Sequence, residues 1–175
     1  IKINNKTFVT QAGSAEPILA SNITFPAGHV IQQEYVEYSA YQEFGATTNG
    51  PHFSSYAAFS KTITLLKSNS KIFIYLFLSG AGKKDNNTAL TVKITESVTS
   101  LDKIVSDIIA FTNSSAYISD SAMQFYIHNH AQSAGTTLTY TPQFCSSANL
   151  TKAFINNYYS SQANTLSYLL LQEVS

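Results

Sequence analysis

The chain has 175 residues with no formal net charge, and only 11% of them are charged, whereas about a quarter is usual in soluble domains. All ten basic residues are scattered lysines, which argues against nucleic acid and anionic membrane surfaces as partners, because both are bound by clustered basic side chains. No apolar run reaches the roughly 18 residues of a membrane-inserted helix, and the single cysteine, Cys145, excludes an intrachain disulfide.

Short runs of alternating apolar and polar residues recur along the chain, separated by turn residues. Strands are predicted over 23–38, 61–66, 71–79, 89–95, 123–131, 136–144, 153–159 and 165–174. This pattern is typical of an antiparallel β-sandwich or jelly roll, so the predicted fold class is all-β. The chain begins with Ile1 instead of Met, and residues 1–22 are polar and irregular. We expect them to link a β-sandwich C-terminal domain over 23–175 to the rest of a longer protein.

An aromatic-rich loop is predicted over 39–60. Aromatic rings stack on the apolar faces of sugars while amides and hydroxyls bind sugar hydroxyls, so a glycan or another host receptor is one expected ligand. The alternative is that these rings fasten a long loop to the core or fill a subunit interface. The candidate receptor-binding residues are Tyr38, Tyr41, Phe44, Asn49, His52 and Tyr56.

The strand predicted over 71–79 is apolar on both faces. Side chains alternate along a strand, so Ile72, Ile74, Leu76 and Leu78 point one way and Phe73, Tyr75 and Phe77 the other. One alternative is a central strand in a sheet that is covered on both sides. We favour the other, in which the second face packs on a neighbouring copy of the chain. Phe73, Tyr75 and Phe77 are therefore the predicted oligomer-interface residues.

The segment 79–87, which contains Gly80 and Gly82, is predicted to be a solvated turn, because it lacks the spacing of a phosphate-binding loop. The carboxylates are too scattered for an acid–base pair, and no Gly-x-Ser-x-Gly segment occurs. The sequence therefore predicts no catalytic residues, no cofactor and no enzymatic activity.

One segment has helical periodicity. Thr99 with Asp102 resembles a capping box, although β-branched residues in the segment favour a strand. The apolar positions, three and four residues apart, are Leu101, Ile104, Val105, Ile108 and Ile109. We expect one short helix near residues 100–110.

His128 and His130 are predicted to share one face of the strand 123–131. A His-x-His pair offers two nitrogen ligands to a transition metal, and three copies around an axis would complete the site. The alternative, which we favour, is a pair of histidines on a polar face that binds no metal.

Three segments occur in a fixed order. Residues 25–32 read FPAGHVIQ, residues 61–74 read KTITLLKSNSKIFI, and residues 166–174 read LSYLLLQEV. They resemble, in the same order, segments of marine tailed-phage structural proteins that read FPAGxxIQ, TITPxSxSSKILI and TLMEI. Leu66 stands where that family usually has proline, and the middle of the chain is longer. The resemblance implies the C-terminal domain of a tail fibre or related virion appendage, trimeric, contacting the host surface and without catalytic residues.

The expected function is a non-enzymatic virion structural module in a phage tail appendage, extracellular when it acts. Its expected partners are its own copies in a homotrimer and a host cell-surface receptor or glycan. The alternative is a capsid decoration or fibre-trimerisation domain without receptor contact.

Overall fold

The computed structural model describes residues 2–3, 6–7, 9–10, 18–19, 27–45, 52–116, 118–148, 151–157 and 165–175. A short 3-10 helix spans Ala57–Phe59. The strands in chain order are β1 (Lys2–Ile3), β2 (Lys6–Thr7), β3 (Val9–Thr10), β4 (Ile18–Leu19), β5 (Val30–Tyr38), β6 (Gln42–Gly45), β7 (Ser54–Ser55), β8 (Lys61–Thr64), β9 (Lys71–Lys83), β10 (Thr88–Glu96), β11 (Leu101–Thr112), β12 (Ile118–Asn129), β13 (Thr137–Ser146), β14 (Lys152–Ile155) and β15 (Ser167–Val174). Within these ranges no helix is long and apolar enough to cross a membrane.

Two antiparallel sheets form the body of the fold, which confirms the predicted all-β sandwich. In the first sheet β9 pairs with β12 on one side and with β15 and β14 on the other, while β5 pairs with β15 and β6 with β14. In the second sheet β13 lies between β10 and the short strands β7 and β8, and β11 pairs with β10. Two further small pairs are β1 with β2 and β3 with β4.

The core lies between the inner faces of the two sheets and follows from the alternation of side chains. Residues of β9 from Ile72 to Leu78 are alternately fully buried and half-buried, as expected for a strand whose two faces are both apolar. The inward-facing core residues of the two sheets include Ile72, Ile74, Leu76, Leu78, Leu169, Leu171, Leu90, Val92, Ile94, Leu138, Tyr140 and Phe144.

The predicted helix near 100–110 is wrong, because this segment is strand β11. β10 has nine residues and β11 has twelve, and the pairing shifts register at three points. Leu101, Val105 and Ile109 pack in the core and lie four positions apart, a spacing that fits the two-residue repeat of a strand as well as a helix. The other two positions of the helical pattern, Ile104 and Ile108, are exposed.

The predicted turn over 79–87 is also wrong in its first half, because β9 continues to Lys83 and the residues from Gly80 to Lys83 are buried. Glycine signals a turn in most sequences, but here it permits close approach of neighbouring backbone. A Cβ atom on Gly82 would lie 1.9 Å from the carbonyl oxygen of Ile118, and one on Gly80 would lie 2.2 Å from that of Asn157.

Lys83 ends β9 with its side chain fully buried. Its Nζ atom donates hydrogen bonds to the backbone carbonyl oxygens of Asp85, Thr112 and Ser114. These carbonyls belong to the β9–β10 connection, the end of β11 and the segment that follows it. The ammonium group therefore ties together two separate chain reversals at one end of the sandwich.

Candidate functional site

The outer face of the first sheet is apolar across four neighbouring strands, β12, β9, β15 and β5. Residues that pair directly in antiparallel strands point to the same side of the sheet. One row across the sheet is Phe125, Tyr75, Leu170 and Tyr35, a second is Met123, Phe77 and Tyr168, and a third contains Ile127 and Phe73. We call these nine residues the aromatic face.

The rings of the aromatic face contact one another and remain accessible. The Phe125 ring lies edge-on to that of Phe73 at a centroid distance of 5.6 Å and lies 4.9 Å from that of Tyr75. Phe77 and Tyr168 stack at 5.1 Å. Even so, Phe125 is 47% exposed, and the layer therefore presents a continuous apolar surface to its surroundings.

This surface is as large as the largest apolar patches that monomers expose to water. Tyr35 is 60% exposed and Met123 is 67% exposed, and Ile127 and Tyr168 are also exposed. With large side chains of about 150–250 Å² each, the nine residues expose on the order of 600 Å². The largest apolar patch of a typical monomer is about 300–600 Å², and a standard interface buries about 800 Å² per partner.

The aromatic face is nearly free of charge. Glu37 pairs with Tyr168 at its margin, where the two residues line a shallow recess of about 240 Å³ together with Tyr35 and Leu170. Such a surface makes contacts mainly by excluding water, which suits another apolar surface better than a polar small molecule.

The three predicted interface residues all lie on the aromatic face. Phe73, Tyr75 and Phe77 are half-buried there, because side chains of β12 and β15 cover part of each ring. The more exposed members come from β12 and β5, which were not assigned to an interface from the sequence. The alternation of Met123, Phe125 and Ile127 was the available signal, but the register that joins these residues to β9 required the structure.

Two of the candidate receptor-binding residues belong to the core. Tyr38 is 8% exposed and Phe44 is 2% exposed, and they stack on Phe59 and Phe144 at 5.0 and 5.3 Å. Neither therefore has a surface for a ligand, and the alternative role of fastening the loop to the core describes both. Half-buried Tyr56 has its ring centroid 5.9 Å from those of Tyr38 and Phe44.

The other candidates from this loop are placed differently. His52 is exposed, and Asn49 lies outside the described residues. Tyr41 is 44% exposed, and its hydroxyl donates to Glu43 Oε2 at 3.0 Å. Lys84 Nζ lies 5.7 Å from the centre of the Tyr41 ring. Of the predicted set, Tyr41 and His52 are thus the described side chains open to a ligand.

Charged side chains surround Tyr41. Lys152 Nζ lies 2.8 Å from Glu43 Oε1, and Lys84 also pairs with this carboxylate. Hydrogen bonds from Lys152 and then Lys84 lower the pKa of Glu43 to about 2. The carboxylate therefore stays ionised at any physiological pH, and this edge of the first sheet combines one exposed ring with fixed charges.

His128, in β12, and His130, directly after its last residue, do lie on the same side of the first sheet, and it is the inner side. They are 7% and 4% exposed, with ring centroids 6.0 Å apart. His128 Nδ1 lies 2.7 Å from the hydroxyl of Tyr140, and the backbone N–H of Gln132 donates to His130 Nδ1 at 3.3 Å. The described part of the chain holds no group of three or more His, Cys, Asp or Glu side chains arranged for a metal. Both imidazoles therefore take part in hydrogen bonds on the inner side of the first sheet.

The sequence matches no family model and no curated protein. Among solved structures the chain is similar to the infectious bursal disease virus VP2 subviral particle, with 8% identity and a TM-score of 0.47 over 95% of this chain and 45% of that one. It is also similar to the Gx strain of that virus, with 9% identity and a TM-score of 0.44 over 95% and 42%. The chain spans less than half the length of these structures, and likenesses this distant carry no weight for its function.

Proposed function

We propose that the chain is a non-enzymatic virion structural module that assembles with copies of itself through the aromatic face. The observation that carries this proposal is the continuous layer of nine apolar side chains on the outside of the first sheet. This face loses contact with water when it packs against neighbouring copies around a common axis, and it holds no charge that would oppose the contact except Glu37 at its margin.

The finer assignment is a homotrimeric domain of a phage tail fibre or related appendage that contacts the host cell surface and acts outside the cell. Its support is the resemblance of residues 61–74 and 166–174 to phage segments, since these residues include the start of β9 and all of β15, two strands of the aromatic face. The second candidate is a capsid decoration or fibre-trimerisation domain. It would use the same assembly but would not bind host cells.

We expect the chain to form an oligomer with a mass near three times its 19.1 kDa, as measured by analytical ultracentrifugation. Phe125→Glu should shift the assembly to monomer, because an ionised carboxylate in an apolar interface loses its hydration without gaining a partner. The unmodified oligomer should persist at high salt, since an apolar contact is not screened.

Ile108→Glu is the matched control, because Ile108 is 68% exposed but lies on β11 of the second sheet. This variant should keep the oligomeric mass. A monomeric unmodified chain at micromolar concentration, or equal dissociation by both substitutions, would remove the aromatic face from the assignment.

The host-binding candidate predicts that Tyr41→Ala removes attachment to host cells while the oligomer stays intact. The reason is that Tyr41 is the exposed ring of the loop and stands among fixed charges, so its loss removes a stacking surface worth about 1 kcal/mol or more per copy. With several copies acting together the loss should exceed tenfold in a cell-binding assay. Normal attachment by the Tyr41→Ala oligomer would favour the second candidate.

A further inference from the structure

A buried relay of side chains joins the end of β10 to β12. Thr99 Oγ1 donates to Glu96 Oε2 at 2.6 Å and lies 3.3 Å from His128 Nε2. Glu96 also accepts from the backbone N–H groups of Val98 and Thr99 at 2.8 Å each. This carboxylate therefore holds the turn between β10 and β11, and the hydroxyl of Thr99 connects that turn to His128.

A second relay of the same design begins on β15. Ser70 Oγ donates to Glu173 Oε1 at 2.5 Å and lies 3.3 Å from His130 Nε2. Glu173 is fully buried and accepts from the backbone N–H groups of Leu66 and Lys67 at 2.9 Å each. The carboxylate holds the loop that precedes β9, and the hydroxyl of Ser70 connects this loop to His130.

The proton positions in both relays follow from which groups can donate. The Thr99 hydroxyl gives its proton to Glu96, and that of Ser70 goes to Glu173 or to the carbonyl oxygen of Lys67. Each imidazole must therefore donate from Nε2, and its Nδ1 must accept. For His130 the donor to Nδ1 is the backbone N–H of Gln132, and for His128 it is the hydroxyl of Tyr140. Burial, and next the nearby Glu96 carboxylate, raise the pKa of Tyr140, so its hydroxyl keeps the proton.

Adding a proton affects the two imidazoles differently. A proton on His130 Nδ1 would face the N–H of Gln132, and two donors 3.3 Å apart repel each other. A backbone N–H cannot turn away without moving the chain. The hydroxyl of Tyr140 can rotate and accept from a protonated His128 instead. His130 is therefore the residue whose protonation forces the backbone to move.

The segment that would move is tied to the loop before β9. The N–H of Gly135 donates to the carbonyl oxygen of Leu65 at 2.7 Å, and the N–H of Asn69 donates to that of Gln132 at 3.1 Å. We propose that His130 is an acid-sensitive latch that fastens residues 131–136 to residues 65–70 at neutral pH and releases both in acid. The device lies on the inner side of β12 and is separate from the aromatic face.

Burial and the charged groups near His130 determine the pH range over which the latch releases. Burial lowers the pKa of both imidazoles, and Glu173 and Glu96 only partly oppose this for His130. The phenol of Tyr126 on β12 lies near that of Tyr140 and is a further titratable group of this cluster. Both imidazoles bind a proton more readily in the unfolded chain than in the folded one. The free energy of unfolding should therefore be highest above the ordinary imidazole pKa of about 6.5 and should fall as the pH drops below it.

Glu96 acts in a lower pH range. Burial alone would raise its pKa, but hydrogen bonds from Thr99 and Val98 lower it below its ordinary value of 4.5. Its contribution is therefore present above that value and is lost only in stronger acid. Loss of stability that begins near pH 6 is thus specific to the histidines.

The test compares the folding equilibrium constant of the unmodified chain with that of His130→Asn between about pH 7.5 and about pH 5. Asn keeps an acceptor near the position of Nδ1 but does not titrate, and His52→Asn, at an exposed histidine, is the matched control. Each buried histidine should contribute up to a tenfold loss per pH unit. In His130→Asn the loss of the folding equilibrium constant per pH unit should therefore be up to tenfold smaller than in the unmodified chain. In His52→Asn this loss should be unchanged.

A measurement on the unmodified chain tests the same latch if the variant does not fold. Nitrogen NMR should find His130 protonated at Nε2 at neutral pH, and amide exchange at Gln132 and Gly135 should accelerate at least tenfold more than exchange in β9 as His130 titrates. Titration of His130 at or above its ordinary pKa, or unchanged exchange at Gln132, would overturn the proposal. So would abolition of the pH dependence by EDTA, since a bound metal would then account for it.

Discussion

Gly82→Ala is expected to abolish folding or to lower the free energy of unfolding by more than about 4 kcal/mol, as measured by urea denaturation. The added Cβ would lie 1.9 Å from the carbonyl oxygen of Ile118 and 2.8 Å from Cζ of Phe154. Ser119 pairs with Gly82 across β12, and Phe154 pairs with it across β14. Neither neighbour can withdraw unless the first sheet loses pairing at its centre, so the clash cannot be relieved locally.

Gly45→Ala is the matched control for this prediction. Gly45 also lies in a strand of the first sheet, but a Cβ there would have no atom within 4 Å. Its substitution should change the free energy of unfolding by less than about 0.5 kcal/mol. If Gly82→Ala unfolded at nearly the same urea concentration as the unmodified chain, the close approach of β9 and β12 would be incorrect.

Lys83→Met is expected to lower the free energy of unfolding by about 3 kcal/mol in the same assay. Methionine fills similar space, but it removes the charged donor from the carbonyl oxygens of Asp85, Thr112 and Ser114. A hydrogen bond to a charged group contributes about 1.5–3 kcal/mol. Removal of a buried charge offsets part of this loss, and for that reason the expected total is below the sum of the single terms.

The exposed Lys103 provides the control, because Lys103→Met removes the same charge at a position of β11 where the side chain meets solvent. The expected change is within about 0.5 kcal/mol. If the Lys83→Met protein is as stable as the unmodified chain, the free energy lost by desolvating the Lys83 ammonium group equals the stabilisation from its hydrogen bonds.

The sequence predicts those strands whose pattern of apolar residues fits only one kind of secondary structure. β9 was recognisable because seven consecutive apolar residues alternate between large aliphatic and aromatic side chains, which fits a strand with two covered faces. β11 was not, because its core positions lie four residues apart, a spacing common to strands and helices, and its bulges interrupt the alternation that would have marked a strand. Bulges depend on the partner strand, so a pattern read from β11 alone cannot reveal them. The same holds for Gly82, whose role depends on a backbone more than thirty residues away.

The candidate site was predictable only in part for a related reason. Phe73, Tyr75 and Phe77 could be assigned to an outer surface. That Phe125 and Tyr35 lie on the same surface depends on the register of three strand pairs. The inner position of His128 and His130 likewise follows from β12, whose large apolar residues Met123, Phe125 and Ile127 are exposed, against the usual expectation that such side chains face the core.

The bulges of β11 also determine how copies of this chain can add to one another. A straight edge strand accepts another strand, which leaves a new edge for the next, so that growth has no natural end. β11 ends its sheet in the described part of the chain, but three register shifts and a left-handed Ala110 with φ of 60° disturb the regular spacing of its backbone groups. Copies that pack through the outer face of the first sheet instead bury that face, so the assembly closes at a fixed size. The irregular edge thus disfavours growth of a filament through the second sheet.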